Sequence, residues 1–352
     1  MVSSTSLPDD VHLAGTDAAA EGEDVDIYSD QAREDFANFW ERHNLGEAAG
    51  ALDADEAHST LLCLTEQVLS WNRRLNLVSR KDCTAAVVYH RHVLPSVALL
   101  PLVLRSRPPP PADDDDGNNA QGPQLHIVDV GTGGGFPGLP LALLLPSASF
   151  TLVDSVRKKL VAVSDMAAEL EAENVRVHWG RVEEMHLPAH DAQDEDGGGK
   201  KQEHHRGRYD LVLGRSVAAL PTFCAWVDPL LKKAAKEGDD REEGKLIYII
   251  GGELDDLVTS RVSGDEPLDG LLGRAAATSD KRALTIRARD VAALARESGE
   301  KLPLRVAPRP GKNDGKNKVR RKKDKLARGA WGKRQSGVRK QRGYDDFQRF
   351  ES

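Results

Sequence analysis

The chain has 352 residues, of which 30% are charged and 39% hydrophobic, enough for one large domain or two small ones. Its apolar runs look shorter than a membrane span, so we expect no membrane partner. The three cysteines, Cys63, Cys83 and Cys224, match no metal-site spacing and no even disulfide set. They therefore favour buried thiols in a reducing compartment, and we expect no metal.

The net charge of −7 conceals a strong charge asymmetry. Residues 309–352 hold 16 Lys and Arg against five acids, a local charge of +11, which leaves −18 for residues 1–308. Such asymmetry indicates an acidic or nucleic-acid partner for the basic end. We predict a basic disordered tail over 309–352 that contacts phosphate. A nuclear-localisation signal or a solubilising tail is the alternative.

The beginning of the chain is acidic. Residues 1–35 contain ten Asp and Glu, and Arg33 is their single basic residue. A transit peptide is normally poor in acids and rich in Arg, and a secretory signal needs an apolar centre. We therefore predict a disordered acidic leader over 1–28 and, by default, a cytoplasmic protein.

Helical periodicity predicts an N-terminal helical cap over 29–104. Phe36, Phe39 and Trp40 fall on one helical face, and a later pattern from Thr84 to about Val103 is interrupted at Pro95. A low-complexity linker over 105–124 follows, with four prolines and four aspartates in a row. The linker is too polar to pack into a core, and a solvated loop is favoured there over a cation site.

From Leu125 onward, short apolar strands alternate with helical segments. This alternation predicts an α/β fold with a doubly wound, Rossmann-like sheet. Strands are expected within 125–130, 149–155, 174–179, 209–216 and 244–252, and residues 281–288 suit a late strand. We assign 125–308 to this domain, with a low-complexity insertion over 188–207.

The stretch "VDVGTGGGFPG", 128–138, contains the glycine loop that follows the first strand. Glycines let the chain turn tightly and let a ligand approach the backbone N–H groups at a helix start. Residues 133–138 match G-x-G-x-x-G, the dinucleotide pattern, with Asp154 at the distance expected for a ribose contact. Residues 129–135 equally match D-x-G-x-G-x-G, the S-adenosylmethionine pattern. The loop alone does not choose between these cofactors, and a turn without a ligand stays open.

Six motifs in order carry a resemblance to a known family: "WNRRLNLVS", "RHVLPS", "VDVGTGGGFPGLPLAL", "FTLVDSVRKK", "GRVEEM" and "LGRSVAAL". They resemble the glucose-inhibited division B family of bacterial small-subunit (16S) rRNA guanine-N7 methyltransferases. The likeness runs from about Leu61 to Gly252, and "LPLRVAPRPGKN" is similar to the Pro-Arg-x-x-Gly end that many members carry. It implies a helical cap on a class I methyltransferase sheet, S-adenosylmethionine as cofactor, and small-subunit rRNA or its assembly intermediate as partner. We expect a monomer.

The resemblance also implies roles for single residues. Arg215 and Lys158 would act in catalysis, and Lys158 would face the RNA together with Asn76, Ser79 and His92 of the cap. Cofactor contacts are implied for the loop and strand ends, at Asp129, Gly131, Gly133, Gly135, Phe136, Asp154, Val182, Glu183 and Arg215.

Five of these residues have a purely structural alternative. Asp154 could cap the following helix, and Arg215 could be an ordinary surface arginine. Lys158 could simply meet water. His92 could be a satisfied core histidine, and Asn76 a helix-end residue.

The sequence departs from the family at two positions. Pro95 stands where the family usually has Asp, and Ile250 stands where it usually has Lys. Two other functions therefore remain open: a non-catalytic rRNA-binding assembly factor with a relic cofactor site, and an NAD-binding oxidoreductase. The second would need a substrate domain with a catalytic His or Lys, and no such motif follows. The acidic leader and insertions look like a eukaryotic copy, which makes a plastid or mitochondrion the alternative location.

Overall fold

The computed structural model describes residues 26–48, 52–80, 83–107, 124–187, 205–234, 243–275 and 280–303. All of them lie in one compact unit that ends at Val306. Almost all of the predicted acidic leader, most of the linker and insertion, and the whole basic tail fall outside the described residues.

The N-terminal cap is helical, as predicted. Ser29 and Asp53 cap its two long helices, because each side chain accepts a hydrogen bond from a backbone N–H three residues later. Phe36, Phe39 and Trp40 are buried together on the first helix. The cap helices are α1 Asp30–Arg42, α2 Leu45–Ala48, α3 Ala54–Asn72, α4 Ala85–Val88, α5 Leu94–Val97 and α6 Leu100–Arg105.

The helical stretch Ala85–Arg105 is broken earlier than predicted. A π-helical turn, Tyr89–Val93, precedes Pro95, and the N–H of Leu94 bonds to the carbonyl of Tyr89. By length and composition this stretch could cross a membrane, and 72% of its most apolar window is buried inside the fold. The expectation that every apolar run falls short of a span is therefore wrong here, and burial of this kind is typical of a core helix.

Seven strands form one mixed sheet in the order β3-β2-β1-β4-β5-β7-β6. Strands β1 to β5 run parallel, and β7 returns antiparallel to both β5 and β6. Every predicted strand is present, whereas β6 was not predicted. The strands are β1 His126–Val130, β2 Ser149–Asp154, β3 Val175–Trp179, β4 Leu211–Arg215, β5 Lys245–Gly251, β6 Gly264–Pro267 and β7 Lys281–Arg287.

Helices cover both faces of the sheet and divide the core in two. The cap, α7 and α8 pack on one face, and α9 and α12 pack on the other. The strand order reverses between β1 and β4, so a crevice for ligands opens there at the carboxyl edge. The remaining helices are α7 Gly138–Leu144, α8 Arg157–Glu169, α9 Leu220–Val227, α10 Asp256–Thr259, α11 Leu268–Leu272 and α12 Ala288–Glu297.

Gly138, the first residue of α7, allows that helix to pack against the sheet. A Cβ at this position would overlap the side chain of Leu152 and lie 2.8 Å from Oδ2 of Asp129. Pro137 stands at the N-cap of this helix.

Gly138→Ala should destabilise the protein by about 1–3 kcal/mol, because the added methyl must displace β-sheet side chains in a packed core. Gly270→Ala in α11 is the matched control. A Cβ there meets nothing within 4 Å, so stability should change by less than about 1 kcal/mol. Urea unfolding of both variants measures the difference, and equal midpoints would contradict the packing role of Gly138.

Candidate functional site

The glycine loop lies between β1 and α7 at the reversal of strand order. Gly131, Gly133 and Gly135 adopt φ values of +73°, +58° and +98°, a left-handed region that side-chain-bearing residues rarely occupy. The N–H groups of Gly131 and Thr132 both donate to the carbonyl of Val153 on β2, at 2.9 and 3.0 Å. The sheet edge therefore holds the loop in a fixed shape.

Asp129, at the base of the loop, is fully buried. Its Oδ2 accepts hydrogen bonds from the Thr132 hydroxyl at 2.7 Å and from the Gly138 N–H at 2.8 Å. Its Oδ1 has no hydrogen-bond partner among the described residues. Burial raises the pKa of Asp129 to about 6, against the hydrogen bonds from Thr132 and Gly138 that lower it. Thr132, which the sequence reasoning missed, is thus a brace of the loop.

Asp154 ends β2 and faces the same loop. Its Oδ2 accepts a hydrogen bond from the N–H of Gly133 at 3.0 Å, and its Oδ1 accepts one from the N–H of Val156 at 2.7 Å. The second bond agrees in part with the alternative that Asp154 caps the following helix, because it satisfies the N–H of the residue just before α8. Each carboxylate oxygen has a further lone pair, so a ribose hydroxyl can still donate to Asp154.

The surroundings of the loop fit S-adenosylmethionine. Two carboxylates, Asp129 and Asp154, suit its positive charge and ribose hydroxyls, and the orphaned Oδ1 of Asp129 offers an acceptor. A Cβ at Gly133 would meet only the Gly131 carbonyl oxygen at 3.8 Å and Nζ of Lys159 at 4.0 Å. The loop surface is therefore open at Gly133.

The residues expected beside the adenine follow β3. Val182 and Glu183 lie in a 3₁₀ turn, Val182–Glu184. Val182 is buried, whereas Glu183 is half-buried and lies 3.6 Å from Arg181 in an ion pair. Their role in cofactor binding stays a prediction.

Arg215, at the end of β4, joins the loop to the cap. Its guanidinium donates to Nδ1 of His92 at 3.0 Å and lies 5.6 Å from the centre of the Phe136 ring. The His92 ring lies 5.4 Å from the same ring. Arg215 is half-buried and bonded to the cap, so it is not the ordinary surface arginine of the structural alternative. The same hydrogen bond satisfies Nδ1 of His92, as the alternative for that residue describes, and the proposed roles of both residues stay predictions.

The imidazole of His92 is neutral in this arrangement. Burial, with Arg215, Lys281 and Arg91 adding to it, lowers the pKa of His92 to about 3. Nδ1 accepts the proton of an arginine, so a proton can sit only on Nε2. His92 is thus unsuited to act as a proton carrier at neutral pH.

Lys281 is a site residue that sequence reasoning missed. It begins β7, and the antiparallel register sets it opposite Gly251, beside the Ile250 that departs from the family. Burial lowers the pKa of Lys281, and so do Arg215 and Arg91, while Asp280 raises it. The alternating pattern of residues 281–288 predicted the strand. It did not show that this strand runs antiparallel to β5, which is what sets Lys281 beside the end of β5.

A loop of the cap sits directly on the glycine loop. Asn72, buried at the end of α3, accepts hydrogen bonds through Oδ1 from the N–H groups of Leu77 at 2.8 Å and Val78 at 3.1 Å. A Cβ at Gly134 would lie 3.3 Å from Cβ of Leu77, a tight contact, so glycine favours this close approach. Sequence reasoning did not identify Asn72.

The predicted RNA contacts of the cap and of α8 are exposed. Asn76 and Ser79 are exposed on either side of the buried pair formed by Leu77 and Val78. Lys158 is exposed in the first turn of α8, and its neighbour Lys159 is the lysine nearer the glycine loop. These positions are consistent with binding RNA, and they are equally consistent with contact to water.

Comparison with known proteins places the chain in a family. A family model described as GidB, rRNA small subunit methyltransferase G, matches residues 57–236. The ribosomal RNA small subunit methyltransferase G of Christiangramia forsetii is 34% identical over 202 residues, 57% of this chain and 76% of its own. The protein of that name from Chlorobaculum tepidum is 34% identical over 208 residues, 59% of this chain and 75% of its own.

The chain also has a loose likeness to a solved structure, a predicted O-methyltransferase, Atu636, from Agrobacterium tumefaciens. The TM-score is 0.32 at 15% identity, over 56% of this chain and 80% of that one. The family match covers the cap from residue 57 onward, the glycine loop, and the ends of β2, β3 and β4. The chain belongs to the rRNA small subunit methyltransferase G family.

Proposed function

We propose that this protein transfers a methyl group from S-adenosylmethionine to N7 of a guanine in small-subunit ribosomal RNA. The observation that carries the proposal is the junction of Arg215, His92 and Phe136. It brings the cap, which we expect to face the RNA, and the glycine loop, which we expect to hold the cofactor, to one point at the carboxyl edge of the sheet. A cofactor held by Asp154 and the glycines would therefore meet an RNA base held by the cap.

The chemistry needs no general base. S-adenosylmethionine would supply an electrophilic methyl carbon. The N7 lone pair would form the new N–C bond as the methyl–sulfur bond breaks, and the electron pair of that bond would leave with the neutral thioether, S-adenosylhomocysteine. N7 carries no proton to lose. The site accordingly has to position N7 in line with that carbon and keep water out. Phe136, which is buried at the junction, and the neutral His92 can do this without exchanging a proton.

The cations of the site suit the RNA side. Because the methyl donor and the N7-methylated base both carry positive charge, Arg215, Arg91 and Lys281 are better matched to oxygen acceptors than to the reacting atoms. Arg215 would hold guanine O6 or a phosphate by charge-assisted hydrogen bonds. Lys281 would supply a positive charge near the end of β5, where Ile250 supplies none.

The target guanine has to be accessible. N7 lies on the Hoogsteen edge, which side chains reach poorly in a paired RNA helix, so an unstacked or not yet assembled segment is the expected substrate. Methylation assayed on small ribosomal subunits, both whole and stripped of protein, tests the function. Binding of RNA without transfer to either substrate would instead identify a non-catalytic assembly factor.

We further propose that the basic tail over 309–352 adds sequence-independent affinity for RNA. Its +11 local charge and low apolar content favour contact with phosphates rather than a folded recognition surface. The tail would hold the RNA near the site without choosing the target base.

Arg215→Ala should lower the single-turnover rate of methyl transfer by about 100-fold, because one preorganised charged donor is lost. Arg215→Lys should restore little, since an ammonium cannot reproduce the planar fork of the guanidinium. Arg296→Ala, an exposed arginine of α12 on the other face, is the matched control and should retain full activity. A wild-type rate in Arg215→Ala would refute the role of Arg215.

The efficiency of cofactor use should fall in acid because of Asp129. With a pKa of about 6, its carboxylate loses its charge below pH 6, and kcat/KM for the cofactor should drop by about tenfold per pH unit. Asp129→Asn should have a low kcat/KM that does not change over this range. Identical pH profiles for the two proteins would contradict the assignment.

The fall in efficiency is separable from acid unfolding. Folding raises the pKa of Asp129, so its contribution to stability is present below its unfolded pKa and is lost as the pH rises through about 6. Asp129 therefore opposes unfolding at pH 5, and a melting curve recorded at each pH checks that the enzyme is folded.

Deleting residues 312–352 should weaken binding to stripped small-subunit rRNA and make the dependence of log Kd on log salt less steep. The cofactor affinity should stay the same, because none of the proposed cofactor residues lies in the tail. Filter binding over a range of salt concentrations measures both changes. An unchanged affinity with an unchanged salt slope would leave the tail without a role in RNA binding.

A further inference from the structure

Trp179, at the end of β3, is an aromatic side chain that the proposed mechanism does not use. Its residue is 38% exposed, unusual for a large apolar side chain. Among the described residues, the exposed large apolar side chains are Tyr28, Val156, Trp179 and Leu257. Two of these four, Val156 and Trp179, lie at the carboxyl edge of neighbouring strands β2 and β3, beside the cofactor carboxylate Asp154.

The indole of Trp179 is held in place by its neighbours. Its Nε1–H donates to the carbonyl of Ser155 at 3.2 Å, and the guanidinium of Arg157 lies over the ring, 5.1 Å from its centre. Lys158 and Arg181 are exposed close by in sequence. A fixed aromatic ring with cations around it is the combination that proteins use for unpaired nucleotides, where the ring stacks on a base and the cations meet phosphates.

Trp179 lies on the face of the sheet that carries the cap. Side chains alternate along a strand, so Trp179 shares the face of Val177, which packs against the core of the cap, α7 and α8. Val182, the residue expected beside the cofactor adenine, belongs to the core on the opposite face. The ring of Trp179 is therefore placed toward the RNA side rather than toward the adenine.

We propose that Trp179 and Arg157 form a stacking platform for an unstacked base of the RNA substrate, at a nucleotide near the target guanine. The Cα register pairs Trp179 with Asp154, so the platform lies about one strand spacing, ~4.8 Å, from the strand that holds the cofactor carboxylate. The identification of the ligand as ribosomal RNA rests on the proposed function. The stacking itself requires only a single-stranded nucleic acid.

The test compares Trp179→Leu with Trp179→Phe. Base–aromatic stacking makes an affinity difference of about 5- to 150-fold. Trp179→Leu should therefore weaken binding to stripped small-subunit rRNA, and to a single-stranded RNA of about 12 nucleotides, by a factor in that range. Trp179→Phe keeps a stacking ring and should bind within about threefold of wild type. Neither variant should change the salt slope, because no charge is lost.

Tyr28→Leu is the matched control, since it also removes an exposed aromatic ring. The hydroxyl of Tyr28 donates a hydrogen bond to Glu66. Gln67, which follows Glu66, donates a hydrogen bond of 2.9 Å to Glu169, at the end of α8 that is far from the glycine loop. The control position is therefore remote from the carboxyl edge, and its RNA affinity should equal that of wild type. Melting midpoints of all three variants report whether each is folded.

Three results would overturn the platform. Wild-type RNA affinity in Trp179→Leu would show that the ring does not stack on a base. Equal losses of RNA affinity in Trp179→Leu and Trp179→Phe would show that the hydrogen bond of the indole N–H matters, and not the stacking ring. Weaker binding of S-adenosylmethionine alone, measured by calorimetry, would assign the ring to the adenine. Failure of the proposed function is distinguishable, because wild-type protein would then transfer no methyl group while the Trp179 variants still differed in binding RNA.

Discussion

The site depends on one constraint: two buried carboxylates hold backbone N–H groups of the glycine loop. Asp129 accepts a hydrogen bond from the N–H of Gly138, where the loop enters α7, and Asp154 accepts one from the N–H of Gly133. The loop is thereby fixed between β1 and β2 before any ligand binds. The left-handed backbone conformation of the three glycines makes this shape possible, and the hydrogen bonds to the carboxylates hold it. The same two carboxylates also favour a cationic ligand.

The cap turns this cofactor cradle into an RNA-modifying site. Asn72 fixes the turn that packs Leu77 on Gly134, and His92 places its ring between Arg215 and Phe136. The glycine loop and the cap therefore share a packed boundary. No proton-transfer residue is needed at this boundary, because the N7 lone pair carries no proton and the site has only to hold the two ligands in line.

Local patterns predicted much of the fold, because apolar runs and glycines report directly on strands and turns. The five parallel strands, the helical cap, and the positions of Gly131 in the loop and of Asp154 at the end of β2 could be predicted in this way. Lys281 and Asn72 could not, since their places depend on an antiparallel return and on a buried turn that connect distant positions. The hydrogen bond from the Gly133 N–H to Asp154 was likewise visible only once β2 and the loop lay side by side.

The central claim is that this site transfers a methyl group to a guanine N7. The most direct measurement incubates the protein with stripped small-subunit rRNA and labelled S-adenosylmethionine, then cleaves the RNA chemically at N7-methylguanine. The account predicts label at one guanine and chain cleavage at that same position. Label on another atom, or no label although both ligands bind, would contradict it.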